Sequence, residues 1–396
     1  MRCFYTVCRL LAALLATLLL IGAAPRPQQA ATAVDRQHIT LLPDAVANST
    51  PPTLSAASYA LLEPISGTLL AAGDADTRRP MASTTKIMTA MVVLERCAME
   101  ETVTVHPEAV GIEGSSIYLF AGEQITVKTL LYALLLASAN DAAAALAYHV
   151  AGGIAPFAAL MNEKATALGL CDTHFCNPHG LHHEEHYTTA RELALLTAAA
   201  MAEPAFAEIV ATKRYSASMT NGAASRLFVN HNRLLSSLEG AIGVKTGFTK
   251  AGGRCLVSAA SREGLTLIAV TLNDPADWRD HTALMDWGFS AFEALTPVPM
   301  PSPLPVVGGC VGSVAIRPSE APMLLLSATH PALSCTVELP RFLYAGFAAG
   351  EVVGRAIYRM GDRVLAEIPL ITAEGVDALP TRPTLWERVR NLFRRY

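Results

Sequence analysis

Three short stretches of the chain carry side chains that could do chemistry together. The first is Ser83-Thr84-Thr85-Lys86. A serine hydroxyl is a poor nucleophile at neutral pH and needs an adjacent base. A lysine amine serves as that base only when desolvation or a second cation depresses its pKa. The second stretch is Ser138-Ala139-Asn140-Asp141, which interrupts a helical run with residues that prefer caps and loops. Its hydroxyl can pass protons, and its amide can hold a substrate carbonyl and the Lys86 side chain. The third is Val244-Lys245-Thr246-Gly247-Phe248-Thr249, at the end of an apolar strand pattern. Lys245 and Thr246 suit a carboxylate, and Gly247 lets a substrate backbone come close. Lys245 is also a second cation for Lys86. Each stretch alone reads more readily as a capped helix, a polar helix break or a strand end.

Position then depends on the elements around them. Pro80, the Ser/Thr run and the apolar spacing of Ile87, Met88, Met91, Val92 and Leu94 predict a helix from Ser83 to about Arg96. In its first turn, residues three apart share a face, so the amine of Lys86 would sit beside the hydroxyl of Ser83. Strands are expected at 55–62, 68–72 and 102–105, with a short extended piece at 115–120. Helices are expected at 127–151, broken near Ser138, and at 155–168 and 187–202, the last capped by Thr188 or Thr189. Apolar strands at 241–246, 254–260 and 266–272 follow, then a helix from Pro275 to Leu295. This order gives an α+β domain with one mainly antiparallel sheet and an all-helical subdomain. The segment Thr296–Pro305 holds five prolines and marks a boundary. Beyond it, short strands punctuated by Pro and Gly predict a small all-β sandwich.

The bulk properties narrow the function classes. The chain has 396 residues, sparse charge and a net charge of −4, which argues against a nucleic-acid binder. Arg2 and Arg9, the apolar run Leu10–Ala24 and Ala31-Thr32-Ala33 read as a signal peptide over 1–33, so the rest is expected to be exported. An uncleaved anchor is the other reading. Residues 34–53 read as a lead-in, 54–296 as the catalytic domain, 306–378 as the β domain and 383–396 as a separate helix. Cys97, Cys171, Cys176, Cys255, Cys310 and Cys335 lie in the exported part. Cys171 with Cys176 and Cys310 with Cys335 could be disulfides, or all could be buried thiols.

Ser-x-x-Lys, Ser-x-Asn and Lys-Thr-Gly in that order form the motif set of penicillin-binding proteins and β-lactamases. The chain resembles the low-molecular-mass penicillin-binding proteins, the serine-type D-alanyl-D-alanine carboxypeptidases. The likeness extends to Gly114-Ser115-Ser116 with Gly122-Glu123, to Leu168-Gly169-Leu170, to Asn177-Pro178-His179-Gly180-Leu181 and to Asn230-His231-Asn232-Arg233-Leu234-Leu235. It runs from Ala57 to the end, densely to Asp274 and loosely afterwards, through Gly350–Gly354 and Arg363–Leu370. The resemblance implies a penicillin-binding/β-lactamase-like fold and a set of roles. Ser83 is the expected acyl-enzyme nucleophile, Lys86 its base and Ser138 a proton relay. Asn140 is expected to hold the substrate, Lys245, Thr246 and Gly247 to bind it, and the backbone N–H groups of Ser83 and Phe248 to form the oxyanion hole. Peptidoglycan stem peptide is the implied substrate, β-lactams the covalent inhibitors, and no metal or cofactor is needed.

Other readings remain. A class A β-lactamase needs a Glu-x-x-x-Asn between the second and third motifs, and Glu192 has no such Asn. A D,D-endopeptidase, a transpeptidase or a β-lactam sensor without turnover uses the same motifs. His179, His182, His183 and His186 lie close with Glu184 and Glu185, yet without metal-site spacing. Finally, Leu385, Trp386, Val389, Leu392 and Phe393 share one helical face flanked by Arg388, Arg390, Arg394 and Arg395. Such a basic amphipathic helix suits a membrane surface, or packs on the β domain.

Overall fold

The computed structural model describes residues 50–217, 225–295, 301–320 and 324–379. The signal peptide expected over 1–33 and the amphipathic helix expected over 383–396 lie outside the described residues.

Strands β1 (Ser58–Glu63) and β2 (Thr68–Gly73) open the chain as a hairpin. A 3₁₀ turn, Ala82–Thr85, leads into α1 (Lys86–Arg96). Every residue of α1 from Lys86 to Val93 is buried. A helix enclosed all round is a core helix, and α1 is the hub of the helical subdomain. Strands β3 (Thr102–Thr104) and β4 (Gln124–Thr126) pair ahead of α2 (Val127–Leu136), whose cap Thr126 accepts from the N–H of Thr129. The predicted break follows: Ser138 has a left-handed φ of 58°, and α3 (Asn140–Ala151) starts after it. Helix α4 (Ile154–Ala167), α5 (Ala190–Met201) and α6 (Pro204–Ala211) complete the subdomain, α1 touching α2, α3, α4 and α5. Thr189 caps α5 by accepting from Glu192 N at 3.1 Å.

Two features here depart from the sequence reading. Residues 115–120 form no strand; Asp141 holds them as a loop. The middle of the domain is not all helix, because β5 (Arg214–Ala217) and β6 (Arg226–Val229) form a hairpin. Tyr215 stacks on Tyr132 of α2 with ring centroids 3.7 Å apart, which anchors that hairpin to the helices.

A short helix α7 (Leu234–Ser237) precedes β7 (Ala241–Thr249), β8 (Gly253–Arg262) and β9 (Leu265–Leu272). The five-stranded sheet runs β2-β1-β9-β8-β7 and is antiparallel throughout, with β7 at its edge. Helix α5 packs on β1 and β9, and α8 (Asp277–Ala291) packs on β8, β9 and β1. At Gly288 of α8 an added Cβ would lie 2.7 Å from Leu267 and 2.9 Å from Leu61, so the helix sits directly on the sheet. His281 of α8 ties into it through Ser258 Oγ at 2.6 Å and Thr271 Oγ1 at 2.9 Å.

The expected helix over Pro275–Leu295 ends early. Residues Phe292–Leu295 are strand β10 and pair with Leu324–Ser327 of the C-terminal region. Alternation of Phe292, Glu293, Ala294 and Leu295 suits that ladder, and a single sequence does not show the partner strand. The described part of the C-terminal region is all β. One sheet orders 316–318, 363–372, 352–360 and 333–338; another orders 313–314, 304–307 and 343–344. Leu304 and Val314 from the second meet Ala356, Tyr358, Ile368 and Leu370 from the first in one apolar core. All six cysteines in the described residues are free thiols, so neither suggested disulfide forms.

Candidate active site

The nucleophile candidate stands in the 3₁₀ turn rather than inside α1. Its turn is strained and tied. Ala82 has a left-handed φ of 50°, a conformation costing about 1–3 kcal/mol for a residue with a side chain. Thr84 Oγ1 donates to Met81 O at 2.6 Å and Thr85 Oγ1 donates to Ala82 O at 2.8 Å. Gly180 presses on the same carbonyl, with space for a Cβ closed to 2.0 Å from Ala82 O. His186 supports the turn from behind. Its Nδ1 accepts from the N–H of Cys176 at 3.0 Å, which leaves Nε2–H to donate to Thr85 Oγ1 at 2.7 Å.

Lys86 opens α1 three residues after Ser83, and its Nζ lies 3.0 Å from Ser83 Oγ. The side chain is fully buried. Nζ has two further acceptors, Asn140 Oδ1 at 2.7 Å and the carbonyl of His179 at 2.6 Å. Burial pushes the ammonium well below its ordinary pKa, the cation of Lys245 pushes it further, and the carboxylate of Asp141 opposes both. A neutral amine has two N–H groups and one lone pair. Asn140 and His179 take the two N–H groups, so the lone pair faces the hydroxyl of Ser83.

Asn140 is the first residue of α3, and both ends of its amide are fixed. Oδ1 accepts from Lys86, while Nδ2 donates to Glu113 O at 2.5 Å. Its backbone N–H donates to Ser115 O at 2.7 Å. Asp141, next in the helix, accepts from Ser116 Oγ at 2.6 Å and from the N–H groups of Ile117 and Leu119 at 3.1 Å each. This carboxylate shapes the loop that brings Gly114 and Ser115 to the cleft.

On the opposite wall, Lys245 is buried, donates to the carbonyl of Thr246 at 2.9 Å and is lowered to about 7 by burial. Gly247 faces the nucleophile's turn. A Cβ there would stand 3.0 Å from Ser83 N and 3.1 Å from Ala82 Cβ, so a side chain would wedge β7 away. A cleft of about 650 Å³ results, lined by Ser83, Ser138, Thr246, Gly247 and Phe248 among others. Its rim carries Arg254, which pairs with Asp277 at 3.0 Å and lies over the Trp278 ring at 5.9 Å.

The structure therefore gathers Ser83, Lys86, Ser138, Asn140, Lys245, Thr246, Gly247 and Phe248 around one cleft. Sequence reasoning missed the His179 carbonyl, the Asp141 brace and the His186 support. A backbone acceptor has no side-chain signature, and the two side chains act on loops far away in sequence. Of the histidine run, His182 and His183 are exposed, whereas burial holds His179 and His186 neutral, each at about 3.

Residues 45–276 match the D-alanyl-D-alanine carboxypeptidase family. The D-alanyl-D-alanine carboxypeptidase of Streptomyces sp. (strain K15) is 38% identical over 260 residues, spanning 61% of this chain and 89% of that protein. The K15 protein, solved as a DD-transpeptidase, superposes with a TM-score of 0.58 over 61% of this chain and 99% of its own. D-alanyl-D-alanine carboxypeptidase DacC of Escherichia coli (strain K12) is 31% identical over 374 residues, 87% of this chain and 90% of that one. The crystal structure of penicillin binding protein 5 from Haemophilus influenzae matches with a TM-score of 0.67 at 28% identity, over 83% of this chain and 99% of its own. With its motif residues assembled on this scaffold, the chain belongs to the D-alanyl-D-alanine carboxypeptidase family.

Proposed function

We propose that the protein is a penicillin-sensitive serine D,D-carboxypeptidase acting on peptidoglycan stem peptides, with the following division of labour. Lys86 takes the proton of Ser83 as Oγ attacks the carbonyl between the two terminal D-alanines. The backbone N–H groups of Ser83 and Phe248 receive the oxyanion. Ser138 relays the proton to the departing D-alanine amine, and Asn140 holds the peptide. Lys245 and Thr246 bind the terminal carboxylate, with Gly247 keeping β7 close. Water then hydrolyses the ester on Ser83, with Lys86 again as base. A β-lactam enters the same cleft and leaves its acyl group on Ser83. Removing the terminal D-alanine takes away the bond that a cross-linking enzyme would use, so the activity limits cross-linking.

One observation carries this reading. A fully buried lysine has both its amine N–H groups accounted for and its third position 3.0 Å from Ser83 Oγ. The experiment is to incubate the protein with diacetyl-Lys-D-Ala-D-Ala and count D-alanine released per enzyme. Many turnovers, abolished by penicillin and by Ser83→Ala, are expected. One equivalent or none, with penicillin still held, would replace the carboxypeptidase with a sensor. A β-lactamase role is disfavoured because Glu192 is engaged elsewhere: it accepts from Asp172 N at 2.9 Å and from Thr173 Oγ1 at 2.5 Å. Adding an amine acceptor to the assay separates hydrolysis from transpeptidation.

The same reading places residues 54–296 as the peptidase domain and 306–378 as the β domain. Export directed by 1–33 and attachment to the outer face of the cytoplasmic membrane through 383–396 complete it. The apolar, Trp-bearing face of that last segment, flanked by arginines, supports the attachment. Deleting 383–396 should release the protein from membranes in a fractionation experiment; retention would exclude this anchor.

A further inference from the structure

Away from the cleft, at the far ends of the two helices that carry the catalytic groups, lies a second cluster of reactive side chains. Cys97 follows α1, Glu101 precedes β3, and His149 sits in the last turn of α3. One ligand atom from each lies within 4.8 Å of the other two. We propose that Cys97, Glu101 and His149 form a binding site for one zinc-type divalent cation.

The donor set selects the metal class. Sulfur, nitrogen and oxygen together suit zinc and its neighbours, whereas magnesium and calcium take oxygen alone. Zinc bonds of about 2.0–2.3 Å in a tetrahedron set ligand atoms roughly 3.3–3.7 Å apart. The observed ligand atoms, all within 4.8 Å of one another, are close enough for that arrangement. His149 Nε2 and Glu101 Oε1 are 2.9 Å apart, so a small opening of one pair admits the ion.

The backbone under two of the ligands is fixed by hydrogen bonds, and His149 stands within helix α3. Cys97 N–H donates to Val93 O at 2.9 Å, and the carbonyl of Glu101 accepts from Val127 N at 2.9 Å. Access is available, since Glu101 is 43% and His149 21% exposed, and a water can take the fourth position. Cys97 carries its proton as a free thiol. Metal binding replaces that proton with a metal–sulfur bond and releases one proton to solvent, with no change of oxidation state.

The location gives the site a purpose. Lys86 and Asn140 already join the N-terminal ends of α1 and α3 at 2.7 Å. A bound cation would join their C-terminal ends, so that the two helices are clamped at both.

Cobalt(II) titration of the purified full-length protein tests this, because thiolate-to-cobalt charge transfer gives a near-ultraviolet band. One equivalent should produce the band, and zinc should abolish it. Cys97→Ser should remove it, and His149→Gln should weaken binding by at least roughly 10–100-fold, the range known for loss of a mere outer partner. The competing locus is the histidine loop, where Cys176 Sγ lies 3.3 Å from His183 Nδ1. That nitrogen already accepts from Glu185 N at 3.0 Å. A Cys176→Ser/His183→Gln protein should therefore bind cobalt as the wild type does. No band in the wild type, a band surviving Cys97→Ser, or a band lost in the loop variant overturns the site. Should Cys97→Ser not fold, zinc should still protect Cys97 of the wild type from alkylation, read by mass spectrometry; equal labelling with and without zinc overturns the site too.

Discussion

The peptidase region and the C-terminal β region bury polar groups in opposite ways. Between residues 58 and 281 lie buried Lys86, Lys245, Asn140, Asp141, His179, His186 and His281. In the described part of the β region, Thr372 alone among polar side chains other than Tyr358 is buried. Charges there stay outside, as in the exposed pairs of Arg355 with Glu338 at 2.7 Å and Glu367 at 2.9 Å. Burying a polar group costs several kcal/mol unless it is fully partnered. The peptidase region meets that cost with dense hydrogen bonding, and a lysine held ready to take a proton is the result.

The largest break in this contrast should come from the cleft. Ser83→Ala should abolish covalent penicillin labelling and D-alanine release while leaving the melting temperature near that of the wild type. Lys86→Ala should lower acylation by roughly 10²–10⁴-fold, the usual worth of a positioned base. Stopped-flow acylation kinetics would check it, and near-normal rates would remove Lys86 from the mechanism. Gly247→Ala comes next. Displacing β7 from Ser83 by a few tenths of an ångström should lower kcat/KM by less than the roughly 10²-fold that a full 1 Å misplacement costs.

Charge and pH sharpen the comparison further. Acylation should fall as acidity protonates Lys86. On the alkaline side, kcat/KM should fall above about 7 as the free enzyme's Lys245 loses its charge. Lys245→Arg should move that alkaline limb to higher pH, because an arginine does not deprotonate. Asp141→Asn should destabilise by about 1.5–3 kcal/mol through lost charged hydrogen bonds. The same change removes the charge that holds up the Lys86 pKa, so the acid limb should shift to lower pH.

The remaining effects belong to the whole fold and to its surface. His179, His186 and His281 are depressed to about 3 by burial. Between about 3 and 6.5 the unfolded chain binds more protons than the native one, so stability is full above 6.5 and drains away as pH falls toward 3. Hydrogen exchange should show the peptidase region loosening in that window before the β region. Arg355→Ala should leave the melting curve unchanged, because exposed pairs contribute little.

Much of the site was legible because its side chains announce themselves. Ser83 and Lys86 stand out through the three motifs taken together, with Ser83 in the 3₁₀ turn just ahead of the expected helix, and the break at Ser138 follows from residues that compete with helix. What was not legible depends on distant partners. Strand β10 continues a helix in sequence and becomes a strand only because Leu324–Ser327 lies alongside. The β5–β6 hairpin is four residues on each side, and stacking of Tyr215 on Tyr132 holds it to the helices. The His179 carbonyl is invisible to any reading of side-chain types.

Strand β7 ends the five-stranded sheet with one side paired to β8. An extended peptide lying beside Ser83 can join that free edge as one more strand, recognised through main-chain geometry. No point substitution deletes a backbone amide short of proline. An inhibitor that copies the substrate's backbone would thus be hard to evade, since a change in β7 that excludes it would also exclude the peptide.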